Sequence, residues 1–279
     1  MKPVTLNPRK AGRALVVAGL AVGAVISVVP FYWMIVAATH DNSELFHSPP
    51  PFLPGTRIWH NLVALQHSIG FTRVMLNSLG IAVVYTLGSG LISAMCGYGL
   101  AKYRFRGRGL LLGLVLVTMM VPFQVLLVPL FQMMANLGWV DSYQAVIVPF
   151  LANSFGIFLM RQAFLDFPDE LIESARIDGA SDLRTFYRIV LPVVKPQLGA
   201  LAIFTFMSQW NAFLWPLLML NSEDKYTAPV ALYTLVGGTH VDYSGLILGS
   251  FIATLPLMVI FFIFQKQFVS GLLGGAVKG

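Results

Sequence analysis

Residues 166–195 gather ten of the chain's 30 charged residues, half of its acids among them. Six carboxylates stand there (Asp166, Asp169, Glu170, Glu173, Asp178 and Asp182), interleaved with Arg176, Arg184, Arg188 and Lys195, and Arg161 lies just before them. The chain as a whole is 57% hydrophobic and only 11% charged, so this crowding needs a cause. No convergent catalytic set is visible in it. What closely spaced acids and bases can do is pair with a polar protein surface, because lipid offers them nothing.

A second set of polar groups is neutral and scattered through apolar runs: Gln124, Gln132, Asn153, Ser154, Gln209 and Asn211, with Trp215 four residues beyond Asn211. On a continuous helix that spacing puts Asn211 and Trp215 on one face. Amides beside an aromatic ring suit a sugar, whose hydroxyls need hydrogen bonds and whose ring carbons stack. The competing reading is that the amides hold helices together and the tryptophan anchors at the lipid interface. No metal or cofactor is expected. The five histidines lack metal-ligand spacing, and Cys96, the single cysteine, reads as a small packing residue. There is also no G-x-x-x-x-G-K-[ST] phosphate loop.

The elements that carry these residues follow from hydropathy. A mean hydropathy of +0.75 belongs to a chain in a bilayer. A helix needs about 20 mostly apolar residues to cross the hydrocarbon core. Six segments qualify: about 14 to 38, 74 to 101, 109 to 134, 142 to 160, 198 to 220 and 244 to 265. The expected fold is therefore all-α, a polytopic transmembrane bundle of six spans forming a single domain over 1–279. The first span is too long, and too aromatic at Phe31, Tyr32 and Trp33, for a cleaved signal segment. Fifteen of the 18 Lys and Arg residues fall on one side of such a bundle, leaving Arg57, Arg73 and Lys225 on the other. The positive-inside rule then places both termini in the cytoplasm. The net charge of +6 reports topology, not nucleic-acid binding.

The outer loop of residues 39–73 contains Pro49, Pro50, Pro51 and Pro54 and is expected to be an extended, packed lid without regular helix. The inner loop, about 161–197, reads as two short helices. Pro168, Asp169 and Glu170 start the first, Gly179 stops it in a left-handed turn, and Ser181 caps the second, which runs through Phe186 and Tyr187 towards Pro192. Leu171, Ile172 and Ala175 form an apolar stripe that rests on the lipid interface or meets a partner.

The order Glu173-Ser174-Ala175, Asp178-Gly179-Ala180 and Ile189-Val190-Leu191-Pro192 resembles the EAA loop of ABC-importer permeases, with Ser in place of the second small residue. Residues 121–149, 209–217 and 265–279 are similar to the carbohydrate permeases of the maltose-permease (MalG-like) subfamily. The resemblance covers about residue 71 to the C-terminus, more loosely before it. It implies a type I ABC-importer fold and a bacterial inner-membrane location. It also implies a second homologous permease, two cytoplasmic ATPase subunits and an extracytoplasmic solute-binding protein. On this reading Glu173, Ser174, Ala175, Asp178, Gly179 and Ala180 couple to the ATPase, Gly275, Val277 and Lys278 of the cytoplasmic tail (266–279) touch it again, and Gln124, Asn153, Ser154, Asn211 and Trp215 are candidates for the solute pathway. The solute is a sugar or oligosaccharide, with a sugar-like polyol or glycerol phosphodiester as the alternative.

Two rivals remain. An ion-coupled sugar transporter would want an intramembrane ionisable group, which the six segments lack; a membrane enzyme would want catalytic residues that converge. If the tail does reach the ATPase, deleting Gly274 to Gly279 should preserve insertion and subunit pairing but lower transport-coupled ATP hydrolysis. Unchanged hydrolysis and uptake would make the tail an ordinary frayed end.

Overall fold

The computed structural model of the chain describes residues 8–237 and 241–274, with side chains placed for 12–13, 15–237 and 241–264. Lys2 and the tail residues Gly275, Val277 and Lys278 lie outside the described residues. Every regular element among the described residues is helical. In hydrocarbon an amide has only other protein groups to bond to, and a helix satisfies its amides within one segment. The chain divides into two compact units, Met1–Ile69 with Leu232–Thr254, and Gly70–Ala231 with Leu255–Gly279.

In the first unit, α1 (Pro8–Ala38) exposes its apolar side chains from Leu15 to Tyr32, as a span surrounded by lipid or by another chain does. Its end is tied down by side chains from the following loop. Asn61 donates through Nδ2 to the carbonyls of Ala38 and His40, both at 2.9 Å. The hydroxyl of Thr39 accepts from the amide of Gly55 at 2.7 Å, and Arg57 pairs with Asp41 at 3.0 Å. The Pro-rich stretch carries no regular helix, as expected, but it is not fully packed: Phe52 and Leu53 at its tip are exposed. Regular helix returns sooner than the prolines suggested, because α2 (Ile58–Ile69) forms as soon as they end and buries Asn61 and Leu65.

The second unit is organised around α3 (Phe71–Lys102), whose 32 residues rise about 48 Å, well beyond a hydrocarbon core of roughly 30 Å. Cys96, expected to pack, is exposed on it. The spans expected over 109–134, 142–160 and 198–220 are not single helices. The first breaks into α4 (Arg108–Met120) and α5 (Phe123–Asn136), bent by 104°, since Pro122 holds Val121 extended at φ −81° and ψ 117°. The second is α6 (Tyr143–Ile147) with a 3-10 turn at Val148–Phe150, then α7 (Ser154–Leu165) at 42° to them. Next come α8 (Asp169–Ile177), α9 (Asp182–Thr185), a π-helical turn (Phe186–Val190) and α10 (Leu191–Val193). After an 81° bend α11 (Lys195–Trp210) follows; it stops short of 220, and α12 (Leu214–Met219) resumes beyond three non-helical residues. The last helices are α13 (Ala228–Thr234) and α14 (Tyr243–Gly274). By length and hydropathy α1, α3 and α14 can each cross a membrane, and the bent pairs raise the number to six.

Helices α7 and α11 flank α3. At Gly97 the backbone of α7 comes so close that a Cβ would stand 2.7 Å from the amide nitrogen of Arg161 and 2.8 Å from the Cβ of Met160, so a side chain there would part the helices. Two buried clusters result. One gathers Ala94, Tyr98, Met160, Phe164, Phe186 and Leu201 about the last part of α3, and the other gathers Ile81, Tyr85, Met134, Val146, Trp215 and Met219 about its first part.

Near the second cluster Asp141, between α5 and α6, adopts a left-handed φ of 61°, uncommon for a residue with a side chain. Its carboxylate accepts from the amides of Asn221 (2.9 Å) and Ser222 (3.0 Å), the Ser222 hydroxyl, and Nζ of Lys225 at 2.7 Å. Lys225 and Ser222 lead the groups that hold this carboxyl well below the usual range, and Asp141 in turn raises Lys225. A lowered folded-state value means a contribution fully present above the ordinary carboxylate range and lost as pH falls through it. Thermal stability should therefore drop below about pH 4 in the native chain. Asp141→Asn, which tolerates the same backbone, should melt a few degrees lower at pH 7 and lack that acid step. Identical melting profiles would show that the clasp contributes nothing.

Candidate functional site

The charged stretch folds as a helical hairpin, α8 to α10. Pro168 opens it with φ −64° and ψ 130°, and Asp169 and Glu170 occupy the first turn, where the partial positive charge of the helix terminus favours anions. Lys102 at the end of α3 lies 2.6 Å from the Asp169 carboxylate and holds it below the usual range. At the other end of α8 the chain reverses through Gly179, with φ +76°. The amide of Gly179 donates to the carbonyl of Arg176 at 3.0 Å, and that of Ala180 to Ala175 at 2.9 Å, the paired bonds of a Schellman stop. Ser181 then caps α9, accepting from the amide of Arg184 at 3.4 Å, and Arg176 closes the hairpin by pairing with Asp182 at 3.2 Å.

The hairpin has two faces with different occupants. Ile172 and Ala175 are buried in the bundle, while Leu171 is half exposed, so the stripe expected to meet a partner or the lipid interface is turned mostly into the bundle. Ala175 offers a partner no side chain; its part is structural, through its carbonyl. The outward face carries Glu173, Ser174, Arg176, Asp178 and Gly179, with Ile177 at 86% and Leu183 at 62% exposure. Ala180 is half-buried, and Ser174 returns its hydroxyl to the carbonyl of Glu170 at 2.7 Å. Two bare aliphatic side chains ringed by charge form a surface suited to a complementary protein cleft. Ile177 and Leu183 were not singled out in the sequence, although both break the polar run.

The second candidate region lies where the three interrupted spans meet. Phe123 just after the first break, Phe150 just before the second and Trp215 just after the third form a triangle of edge-on rings with centroids 5.6, 6.1 and 5.7 Å apart. Beside it Thr118 and Ser154 share a hydrogen bond of 2.7 Å between α4 and α7. Asn153 caps α7, accepting from the amide of Gly156 at 2.8 Å, and donates to the Tyr85 hydroxyl at 3.4 Å. Gln124 is exposed on α5. The shared face expected for Asn211 and Trp215 does not exist, because α11 ends between them. Asn211 caps that end with its Nδ2 on the carbonyl of Met207 at 2.9 Å and is exposed, whereas Trp215 is 4% exposed with its indole N–H on the carbonyl of Ala145 at 2.9 Å. Trp215 is thus a wedge within the bundle. Among the described residues no group of three or more His, Cys, Asp and Glu side chains could hold a metal ion.

The model of the family of binding-protein-dependent transport system inner membrane components matches residues 87–273, and the chain belongs to that family. It is a non-catalytic permease component of an ABC importer, a multi-pass protein of the inner membrane. The arabinooligosaccharides transport system permease protein AraQ of Halalkalibacterium halodurans is 38% identical over 268 residues, covering 95% of this chain and 96% of that one. The sn-glycerol-3-phosphate transport system permease protein UgpE of Yersinia pestis is 34% identical over 261 residues, 91% and 93% of the two chains. A bacterial ABC transporter that imports the acidic polysaccharide alginate aligns with a TM-score of 0.82 over 95% of this chain and 99% of its own; at 22% identity that match speaks to the fold.

Gly179 is the residue on which the aim of the hairpin rests. A side chain in its left-handed conformation costs about 1–2 kcal/mol, so if the hairpin docks on an ATPase, Gly179→Val should weaken that attachment roughly tenfold while membrane insertion stays normal. Co-purification of the ATPase at native levels would show that the turn does not direct docking.

Proposed function

We propose that this chain is one of two homologous permease subunits of an importer that moves a sugar or oligosaccharide, with energy supplied by two cytoplasmic ATPase subunits and solute by an extracytoplasmic binding protein. It acts as a single permease domain with both termini in the cytoplasm, an orientation supported by the distribution of Lys and Arg. The observation that carries the reading is the outward face of the hairpin: Glu173, Arg176, Ile177 and Leu183 stand clear of the bundle on a turn locked by Gly179. Closure of the ATPases on ATP would draw such hairpins together. The bundle would respond as a rigid body, turning the pathway from one side of the membrane to the other.

The solute pathway is read from the interrupted spans. Non-helical backbone at membrane depth is tolerated where protein buries it or where it lines a watery cavity, and these breaks bring Tyr85, Thr118, Asn153 and Ser154 together, with Asn211 at the third. A sugar matches such neutral donors and acceptors. Similarity to AraQ supports a carbohydrate, and similarity to UgpE favours a glycerol phosphate as the second reading. Residues 118–124, 150–156 and 209–215 contain no Lys, Arg or His to meet a phosphate, which weighs towards the neutral solute.

The complete complex in proteoliposomes, with ATP inside and the proton gradient collapsed, should accumulate an arabino-oligosaccharide delivered by its binding protein. Uptake that stops when the gradient collapses would sink the ATP-driven reading, and uptake of glycerol 3-phosphate alone would favour the second. Asn211→Leu should lower uptake several-fold per assembled complex; loss of subunit pairing with unchanged uptake per complex would make Asn211 a structural amide.

A further inference from the structure

The hairpin is attached to the rest of the bundle at more places than its two chain ends. On the entry side, Lys102 has a side chain only 8% exposed, and a nearly buried ammonium needs partners. It finds them all at the start of α8. Its Nζ donates to the Asp169 carboxylate at 2.6 Å and to the carbonyl of Phe167 at 2.5 Å, and it stands 5.9 Å from the centre of the Phe167 ring. On the exit side the next residue, Tyr103, lines a cleft together with Asp182, whose pairing with Arg176 closes the hairpin. Burial, with the Asp182 carboxylate second, raises the Tyr103 phenol.

One turn back along α3, Tyr98 packs edge-on against Tyr103 at 5.7 Å and Phe164 at 5.5 Å, and tilts against Phe186 of the π-helical turn at 5.2 Å. A cleft of about 90 Å³ lined by Met95, Tyr98, Tyr103, Asp182, Leu183 and Phe186 lies at this junction.

We propose that the last turn of α3 is the grip through which movement of the hairpin enters the bundle, with Lys102 holding its first helix and Tyr98 and Tyr103 its second, so that these three are positioning residues for coupling. The proposal rests on the reading that the hairpin docks on an ATPase.

The geometry of the covalent connections favours α3 for this task. The exit arm of the hairpin turns by 81° at Val194 before α11, so a push along it meets α11 nearly side-on. By contrast α3 is one unbroken helix of 32 residues that packs on both α7 and α11 and reaches past the hydrocarbon core. An unbroken helix held at both helices of the hairpin moves when the hairpin moves. It also runs past Tyr85, the partner of Asn153 at the second break. One element therefore touches the hairpin at one end and the interrupted spans further along.

The test uses the full complex in proteoliposomes. Lys102→Met and Tyr103→Phe leave the outward face of the hairpin untouched, and the second removes a single oxygen, so folding is preserved. Both should keep ATPase attachment and basal hydrolysis near native levels while lowering solute transported per ATP hydrolysed about threefold or more. Lys102→Arg should recover most of the ratio, and Lys102→Met with Asp169→Asn should be no worse than Lys102→Met alone. An unchanged transport-to-hydrolysis ratio in Lys102→Met and Tyr103→Phe overturns the proposal. So does loss of attachment in parallel with hydrolysis, which would make the residues mere supports of the docking surface. Failure of the docking reading itself appears separately, as native ATPase attachment when the exposed Ile177 and Leu183 are both replaced by Asp.

Discussion

The dry interior of the bilayer is the constraint from which the rest of this structure follows. A backbone amide there has only protein to bond to, so a segment crosses as an unbroken helix or hides its interruption among neighbours. The two solutions occur side by side in this chain. Helix α1 is continuous and carries exposed apolar side chains over most of its length. The segments over 108–136, 143–165 and 195–219 are interrupted, and their breaks meet each other around Phe123, Phe150 and Trp215. Interruption brings association with it: Asn153 caps the restarted helix by accepting from the amide of Gly156 and donates to Tyr85 of α3, and the hydroxyl of Ser154 bonds that of Thr118 on α4.

Outside the hydrocarbon the controlling interaction is between charges and helix ends. The hairpin is held by short-range devices, a left-handed glycine, a serine cap and an Arg176–Asp182 pair, each worth little alone in water. Together they fix one turn, so that Ile177 and Leu183 can stay uncovered without collapsing onto the bundle. Stability for the hairpin comes from its other face, where Ile172, Phe186 and Val190 join Tyr98 and Phe164 in one buried cluster. The same helix pair is thus an integral part of the core and an open surface. That combination suits the proposed role of carrying force between an ATPase and the membrane.

Sequence and structure agree where the cause is local. Gly179, Ser181 and the acids after Pro168 act on their own turn of chain, so the hairpin was readable residue by residue. The interruptions were half readable. Pro122 sits inside a run counted as one span, and its effect on Val121 is a local rule that hydropathy averaging conceals. Asn153 and Asn211 were noticed as polar residues but not as helix caps, because an asparagine in an apolar run serves equally well as cap, as glue between helices or as pathway lining, and neighbours in space choose among these.

Length of apolar runs and the lopsided placement of Lys and Arg determined by themselves that this is a helical membrane protein, and the resemblance of the Glu173-to-Pro192 pattern to the EAA loop pointed to an inner-membrane permease. The first two are properties of segments only a few turns long, set by helix geometry and by the cost of charge in lipid. Tertiary structure alone decided that Trp215 is a buried wedge, that Asp141 reaches across more than eighty residues to Lys225, and that Lys102 spends its charge on the start of α8. Those assignments depend on which distant groups arrive within about 3 Å of one another, and nothing in the spacing of residues along a chain encodes that arrival.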